Sequence, residues 1–284
     1  MTQARRARLA LEPSPAARAL AGFVLAVTVV VSLAPFFYVI STSLKETKSL
    51  FSYPPHWISD PVYLGNYVAL FQKHPFGWWL GNTLAISAIV TALKLVIDGM
   101  AAYALAKLDF AGKPVIVTIL LISVAVPLAA LLIPLFLITR SMGLIDTRLA
   151  LILPPLANPL GVFMIRAFIA GLPDELIHSA RMDGAGEFEI LRRVVVPLIR
   201  PGLVVHATFI FATQYTSFLW PLVAVRDPQK QVITVGISSL RAIFTVDWGL
   251  ISAASLIAAV PLTVIFILFQ QAFFHQSLAG ALKE

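Results

Sequence analysis

The sequence contains no cysteine among its 284 residues. That excludes disulfide frameworks and thiolate metal sites and leaves no mark of redox compartment. Charge is nearly as scarce. Only 12% of residues are Asp, Glu, Lys or Arg, against 59% apolar or aromatic and a mean hydropathy of +0.88, whereas soluble domains carry about 25% charge. This balance excludes an ordinary soluble globular protein and makes the bilayer the solvent. Catalytic signatures are missing as well. No Gly-x4-Gly-Lys-Ser/Thr loop occurs, since the Gly112-Lys113 pair is followed by Pro114, and there is neither His-Glu-x-x-His nor a nucleophile elbow. A membrane-embedded enzyme is disfavoured.

What the chain does have is length without charge. Uncharged stretches cover 19–44, 74–93, 114–139, 149–165, 201–225 and 248–282. Five reach the roughly 18 residues of a membrane-spanning helix, and the stretch between Arg148 and Arg166 extends by letting those cations snorkel. The prediction is an all-α membrane protein with six transmembrane helices, near 19–41, 78–106, 114–139, 149–170, 202–225 and 250–272. The net charge of +7 comes from cations at the ends of apolar runs, which orientation rules explain without nucleic acid. With the N-terminus inside, twelve Lys and Arg fall on inner segments and eight on outer ones, Lys94 lying within a span. Both termini are therefore expected to be cytoplasmic, with tails at 1–18 and 273–284. Arg5, Arg6, Arg8 and Arg18 before an apolar run imitate a signal peptide. The run is longer than the roughly 7–15 residues of a signal core and has no small-x-small cleavage site, so it is read as a retained first span.

Polar residues inside the spans are few. In the second, Thr83, Ser87, Thr91, Lys94 and Asp98 share one helical face, which is either a packing seam with Lys94 and Asp98 neutralising each other or the wall of a hydrated pathway. Pro127 and Pro134 interrupt the third span, and Pro154, Pro155 and Pro159 with Asn158 the fourth. Such breaks need protein or a water-lined cavity to satisfy the freed carbonyls. The fifth carries His206, Thr213, Gln214 and Ser217, and the sixth Ser252, Ser255, Pro261 and Gln270-Gln271. His206 reads as a hydrogen-bonded structural residue or as a proton relay. Outer segments 42–77, with Pro54-Pro55, Trp57 and Trp78-Trp79 nearby, and 226–247 mix polar and aromatic residues.

The longest inner segment, 171–201, holds nine charged residues and reads as two short helices. Pro173 starts the first with Asp174 and Glu175 at the positive end of its dipole and an apolar stripe of Leu176, Ile177 and Ala180. Asp183-Gly184 interrupts it. The second is expected to be capped by Asp183, with Glu187 near its start, Arg192 and Arg193 near its end, and Phe188, Leu191 and Val195 on one face. On physical grounds the pair is either a docking elbow or an interfacial helix on the headgroups.

This segment resembles the signature loop of ABC-importer permeases: Glu-Ala-Ala, three residues, Gly, nine residues, Ile-x-Leu-Pro. The pattern falls on His178-Ser179-Ala180, Gly184 and Val194-Val195-Val196-Pro197 with all spacings intact. His replaces the leading Glu, Ser the first Ala, and Val both the Ile and the Leu. Further resemblance to the maltose-permease-like carbohydrate-uptake branch lies in Asn66-Tyr67, Asn82-Thr83, Ala101-Ala102-Tyr103-Ala104, Phe110-x-Gly112-Lys113, Ile133-Pro134-Leu135-Phe136, Gly143-Leu144-Ile145-Asp146-Thr147 and Asp247-Trp248-Gly249. Pro261, Phe266, Gln270 and Leu278-Ala279-Gly280-Ala281-Leu282-Lys283 extend it. Tyr215-Thr216-Ser217-Phe218-Leu219-Trp220-Pro221 stands where many relatives have Trp-Asn-acid-Phe-Leu-x-Pro, so the exact sugar is not inherited.

The resemblance implies the type I importer permease fold in a bacterial or archaeal cytoplasmic membrane. It also implies a second permease, two ATP-binding subunits carrying ATP and Mg, and an external solute-binding protein that meets the outer segments. This chain itself is expected to bind no cofactor or metal. Docking on the ATPase is expected to use Leu176, Ala180, Gly184, Ala185 and Phe188 for shape and Glu175, Arg181 and Asp183 for orientation, with His178, Ser179 and Pro197 completing the motif. The candidate sugar pathway is Thr83, Ser87, Thr91, Thr213, Gln214, Tyr215, Ser217 and Trp220. Glycerol 3-phosphate or a glycerophosphodiester is the alternative cargo and requires cations on the pathway, where Lys94 alone qualifies. A secondary transporter is the remaining class and rests on Lys94 with Asp98.

Overall fold

The computed structural model describes residues 14–50, 61–241 and 246–281, with side chains up to Gln270. The expected N-terminal tail lies largely, and the Pro54-Pro55 and Trp57 cluster wholly, outside these residues, whereas most of the expected C-terminal tail continues the last helix to Ala281. Among the described residues every element is helical apart from one isolated bridge, Arg241 with Val246. In order they are α1 (Pro15–Ser43), α2 (Gly65–Lys73), α3 (Phe76–Lys107), α4 (Lys113–Ala125), α5 (Leu128–Ser141), α6 (Leu149–Leu156) and α7 (Leu160–Ala170). There follow α8 (Asp174–Met182), α9 (Glu187–Leu198, with a π-type turn over Leu191–Val195), α10 (Arg200–Tyr215), α11 (Leu219–Ala224), α12 (Ile233–Ser239) and α13 (Trp248–Ala281).

Among the described residues three helices are long and apolar enough to cross a bilayer unaided: α1, α3 and α13. The count is up to six when each bent pair is one span: α4 with α5, α6 with α7, and α9 with α10. The last pair is bent by 86° and so includes a helix of segment 171–201 rather than the whole expected fifth span. The bends have sequence causes. Val126 is forced extended by Pro127, and α4 and α5 meet there at 105°, so the expected third span is not one straight helix. Pro159 separates α6 from α7 with a bend of 46°. The expected fifth span, 202–225, is also interrupted. Pro221 has no N–H to offer the Ser217 carbonyl and crowds it; the helix stops at Tyr215, and Ser217 O instead accepts the Thr234 hydroxyl at 2.6 Å.

The chain divides into two compact units. The first comprises residues up to 70 with 247–256. In it Asn66 Nδ2 donates to the Ser43 and Lys45 carbonyls, both at 2.8 Å, and the Tyr67 and Ser43 hydroxyls lie 2.8 Å apart. The apolar length of α1 is unburied, as suits a helix solvated by lipid. The second unit, 71–246 with the rest of α13, is organised around α3, against which α6, α7, α10 and α12 pack. Its core has two parts. Ile86, Val90, Ala150, Leu151, Ile210 and Trp220 pack around the first half of α3, and Ala102, Tyr103, Leu105, Ile165, Ile169, Ile177, Ile190, Leu191 and Val195 around its end.

Candidate coupling loop and transport pathway

Segment 171–201 is an elbow because its first helix ends on a left-handed residue. Gly184 has φ +85°, Gly184 N–H donates to Arg181 O at 3.0 Å, and Ala185 N–H to Ala180 O at 3.1 Å, a Schellman ending. Asp183 therefore closes α8 rather than capping α9, which Gly186 precedes with no side-chain cap. The apolar stripes also differ from expectation. Ile177 is buried and Leu176 exposed; on α9, Ile190 joins Leu191 and Val195 in the core while Phe188 stays 67% exposed. Leu176, Phe188 and Met182, the last 88% exposed, are apolar side chains left on a polar loop. Met182 fills an unspecified position of the motif between Arg181 and Asp183, where its charged neighbours mask an apolar surface in the sequence.

The underside of the elbow is fastened to the end of α3. Lys107 Nζ donates to Asp174 Oδ1 at 2.5 Å and to Leu172 O at 2.7 Å. Tyr103 donates to Glu187 Oε2 at 2.5 Å, and Arg181 Nε to Glu187 Oε1 at 2.8 Å. The Lys107 hydrogen bond and charge hold the Asp174 carboxyl below the usual carboxylate range. Arg181, then Tyr103, do the same for Glu187. Arg181 is thus committed within the loop, whereas Glu175, His178, Ser179, Asp183 and Pro197 remain exposed, and Ala180 and Ala185 are half-buried.

About 36 Å away along α3, at 1.5 Å per residue from Tyr103 back to Trp79, a second segment is pinned. Trp79 Nε1 donates to Pro228 O at 2.8 Å, and Asn82 Nδ2 to the Gln229 and Gln231 carbonyls at 2.8 and 3.0 Å. Arg148 Nε donates to Asn82 Oδ1 at 2.9 Å and lies over Trp78. Asp146, with φ +62°, accepts the Arg226 and Asp227 N–H groups at 3.0 Å; these bonds, that from Asp227 foremost, hold its carboxyl low.

The pathway candidates separate into two groups. Thr83 is buried, donates to Trp79 O at 2.6 Å and accepts Ile233 N–H at 2.7 Å, so it caps α12. Tyr215 is buried and donates to Ala258 O at 2.7 Å. Trp220 is buried and donates to Ala150 O at 2.8 Å. The polar atoms of these three hold helices together. Ser87 is buried, and its carbonyl accepts the Thr91 hydroxyl at 2.7 Å. Thr213 is exposed, with Gln214, Ser217 and Thr91 half-buried. Lys94 and Asp98 are 5% and 1% exposed, which places that end of the polar face in a packing seam.

Residues 96–277 match the family described as binding-protein-dependent transport system inner membrane component. The chain belongs to that family. This permease is 33% identical over 254 residues to the arabinooligosaccharides transport system permease protein of Bacillus subtilis, covering 88% of this chain and 90% of that one. It is 33% identical to the trehalose transport system permease protein of Mycobacterium tuberculosis, covering 89% and 93%. With the sulfoquinovosyl glycerol transport system permease protein of Agrobacterium fabrum it shares 32%, over 88% and 89%. Among solved structures, a chain of a bacterial ABC transporter involved in alginate import superposes with a TM-score of 0.82 at 19% identity, covering 92% of the permease and 98% of that chain. The permease thus has the ABC-importer membrane-subunit fold.

Proposed function

We propose that this permease carries a sugar across the cytoplasmic membrane in a six-span arrangement with both termini inside, driven by ATP hydrolysis in a separate subunit seated on residues 173–197. The observation that carries the reading is the elbow. Its underside is locked to α3, while Leu176, Met182 and Phe188 stand exposed, a surface that suits insertion into an apolar cleft. ATP and Mg belong to that ATPase. A second permease completes the translocation unit, and an external solute-binding protein meets 42–77 and 226–247, the latter stiffened by Asp146 and Asn82.

A sugar is supported by the named cargoes of the relatives and by the charge balance of the spans. Lys94, the cation that a phosphorylated cargo would need, is paired with Asp98. Thr91, Thr213, Gln214 and Ser217 are the polar groups left for a hydroxyl-rich solute. The test is to tag the C-terminus, solubilise membranes gently and identify the co-purifying chains for wild type and Gly184→Asp. Recovery of a P-loop ATPase and a second permease, with the ATPase reduced in the variant, is expected. Recovery of the chain alone would overturn the importer and return Lys94 and Asp98 to a secondary transporter.

A further inference from the structure

Three ionisable side chains meet inside the spans of the second unit. Lys94 Nζ lies 3.2 Å from both oxygens of Asp98, and His206 Nε2 lies 3.0 Å from Asp98 Oδ2. Lys94, Asp98 and His206 are 5%, 1% and 0% exposed. They join three elements, because Lys94 also donates to Asn158 O at 2.6 Å. That carbonyl belongs to the break between α6 and α7. Val162 N–H, its partner in an unbroken helix, bonds to Pro159 O instead, and Asn158 Oδ1 takes Leu160 N–H at 2.9 Å. Gly161 lets the backbone of α7 approach, since a Cβ there would overlap both the Asp98 carboxylate and the His206 ring.

Packing alone does not call for such a cluster. Apolar residues of similar volume hold helices at least as firmly without the cost of desolvating charge. What the cluster adds is direction: one ammonium fixes a bent backbone to α3, and one carboxylate fixes α3 to α10. The same helix is fastened to the elbow through Tyr103 and Lys107 further along. We propose that Lys94, Asp98 and His206 are positioning residues for transport. They pin the α6–α7 break to α3 and α10, so that α3, α7 and α10 travel with the coupling elbow as one body and the break does not act as a hinge. This rests on the importer reading.

Lack of cysteine makes the chain suited to paired spin labels. Val96→Cys with Ala167→Cys reports α3 against α7, and Val96→Cys with Phe209→Cys reports α3 against α10; all three positions are exposed and outside the elbow and pathway. Distances are measured by pulsed electron resonance on the complete complex in nanodiscs, nucleotide-free and trapped with ATP and vanadate. Both distances are expected to be the same in the two states. Asp98→Asn, which removes the counter-charge of Lys94, is expected to make them differ between states. His206→Gln, which keeps a donor near the Nε2 position, should behave as wild type, and His206→Leu as Asp98→Asn. If Asp98→Asn does not assemble, the His206 pair decides. Wild-type distances that change between states, or His206→Leu matching His206→Gln, would overturn the proposal while leaving the importer intact. A complex without an ATPase would overturn both.

Discussion

The hydroxyl of Tyr103 and the carboxylate of Glu187 meet at 2.5 Å, 84 residues apart in sequence, and Arg181 shares the same carboxylate. One hydrogen bond thus ties the end of α3 to both arms of the elbow. Replacing Tyr103 by Phe removes it without changing the ring packing. The expected cost is about 1 kcal/mol, confined to the loop. Hydrogen exchange over 171–201 should rise in Tyr103→Phe with exchange in α10 unchanged; equal exchange in both proteins would contradict the tie.

The depressed carboxyls of Asp174 and Glu187 set a direction with pH. Groups whose folded pKa lies below the unfolded value contribute stability above the ordinary carboxylate range, near ~4, and lose it as pH falls through the lower folded value. The elbow is therefore fully fastened at neutral pH and loosens only under acid conditions. Limited proteolysis of 171–201 should be flat from neutral pH down to the ordinary carboxylate range and rise below it. Lys107→Met should raise cleavage already at neutral pH and flatten the acid rise, leaving only the share of Glu187.

Much of this loop was legible in the sequence. Pro173, the acidic first turn and Asp183-Gly184 place two helices and the turn between them. The role of Asp183 was not legible, because a left-handed Gly184 lets the backbone close α8 and leaves no cap for that side chain to make on α9. Phe188 fits an apolar stripe with Leu191 and Val195 at helical spacing, but the π-type turn at 191–195 changes that register, while on α8 Ile177 takes the core face and leaves its neighbour Leu176 exposed. The pairing of Lys94 with Asp98 follows from four-residue spacing within one helix. The addition of His206 does not, since it lies 108 residues from Asp98 and local periodicity carries no information across spans. Pro127 and Pro159 mark where helices break, but Pro134, Pro154 and Pro155 lie inside continuous helices against expectation, as Pro261 also does, because neighbouring protein can satisfy the freed carbonyls.

At Gly184 the constraint is torsional, not steric, since a Cβ meets nothing within 4 Å while φ is +85°. Gly184→Ala is expected to cost about 1–2 kcal/mol in the turn, and Gly184→Asn less, because Asn tolerates the left-handed region. ATPase recovered by affinity capture should fall in the order Gly, Asn, Ala. Equal recovery would remove the turn from the docking surface.

Gly161 and Gly99 provide an opposed pair. A Cβ at Gly161 overlaps Asp98 and His206, while one at Gly99 has nothing within 4 Å. Gly161→Ala is expected to destabilise by about 1–3 kcal/mol through overpacking, and Gly99→Ala to stabilise by about 0.5–1 kcal/mol through helix propensity. Thermal unfolding of the detergent-solubilised protein should move in opposite directions for the two variants.

The one-turn spacing of Lys94 and Asp98 also bears on biogenesis. A nascent helix carrying an isolated charge would have to wait at the translocon for a neutralising neighbour, but here the counter-ion emerges within the same turn of synthesis. The second hydrophobic segment thus carries its own counter-ion and is expected to need no later segment for its neutralisation.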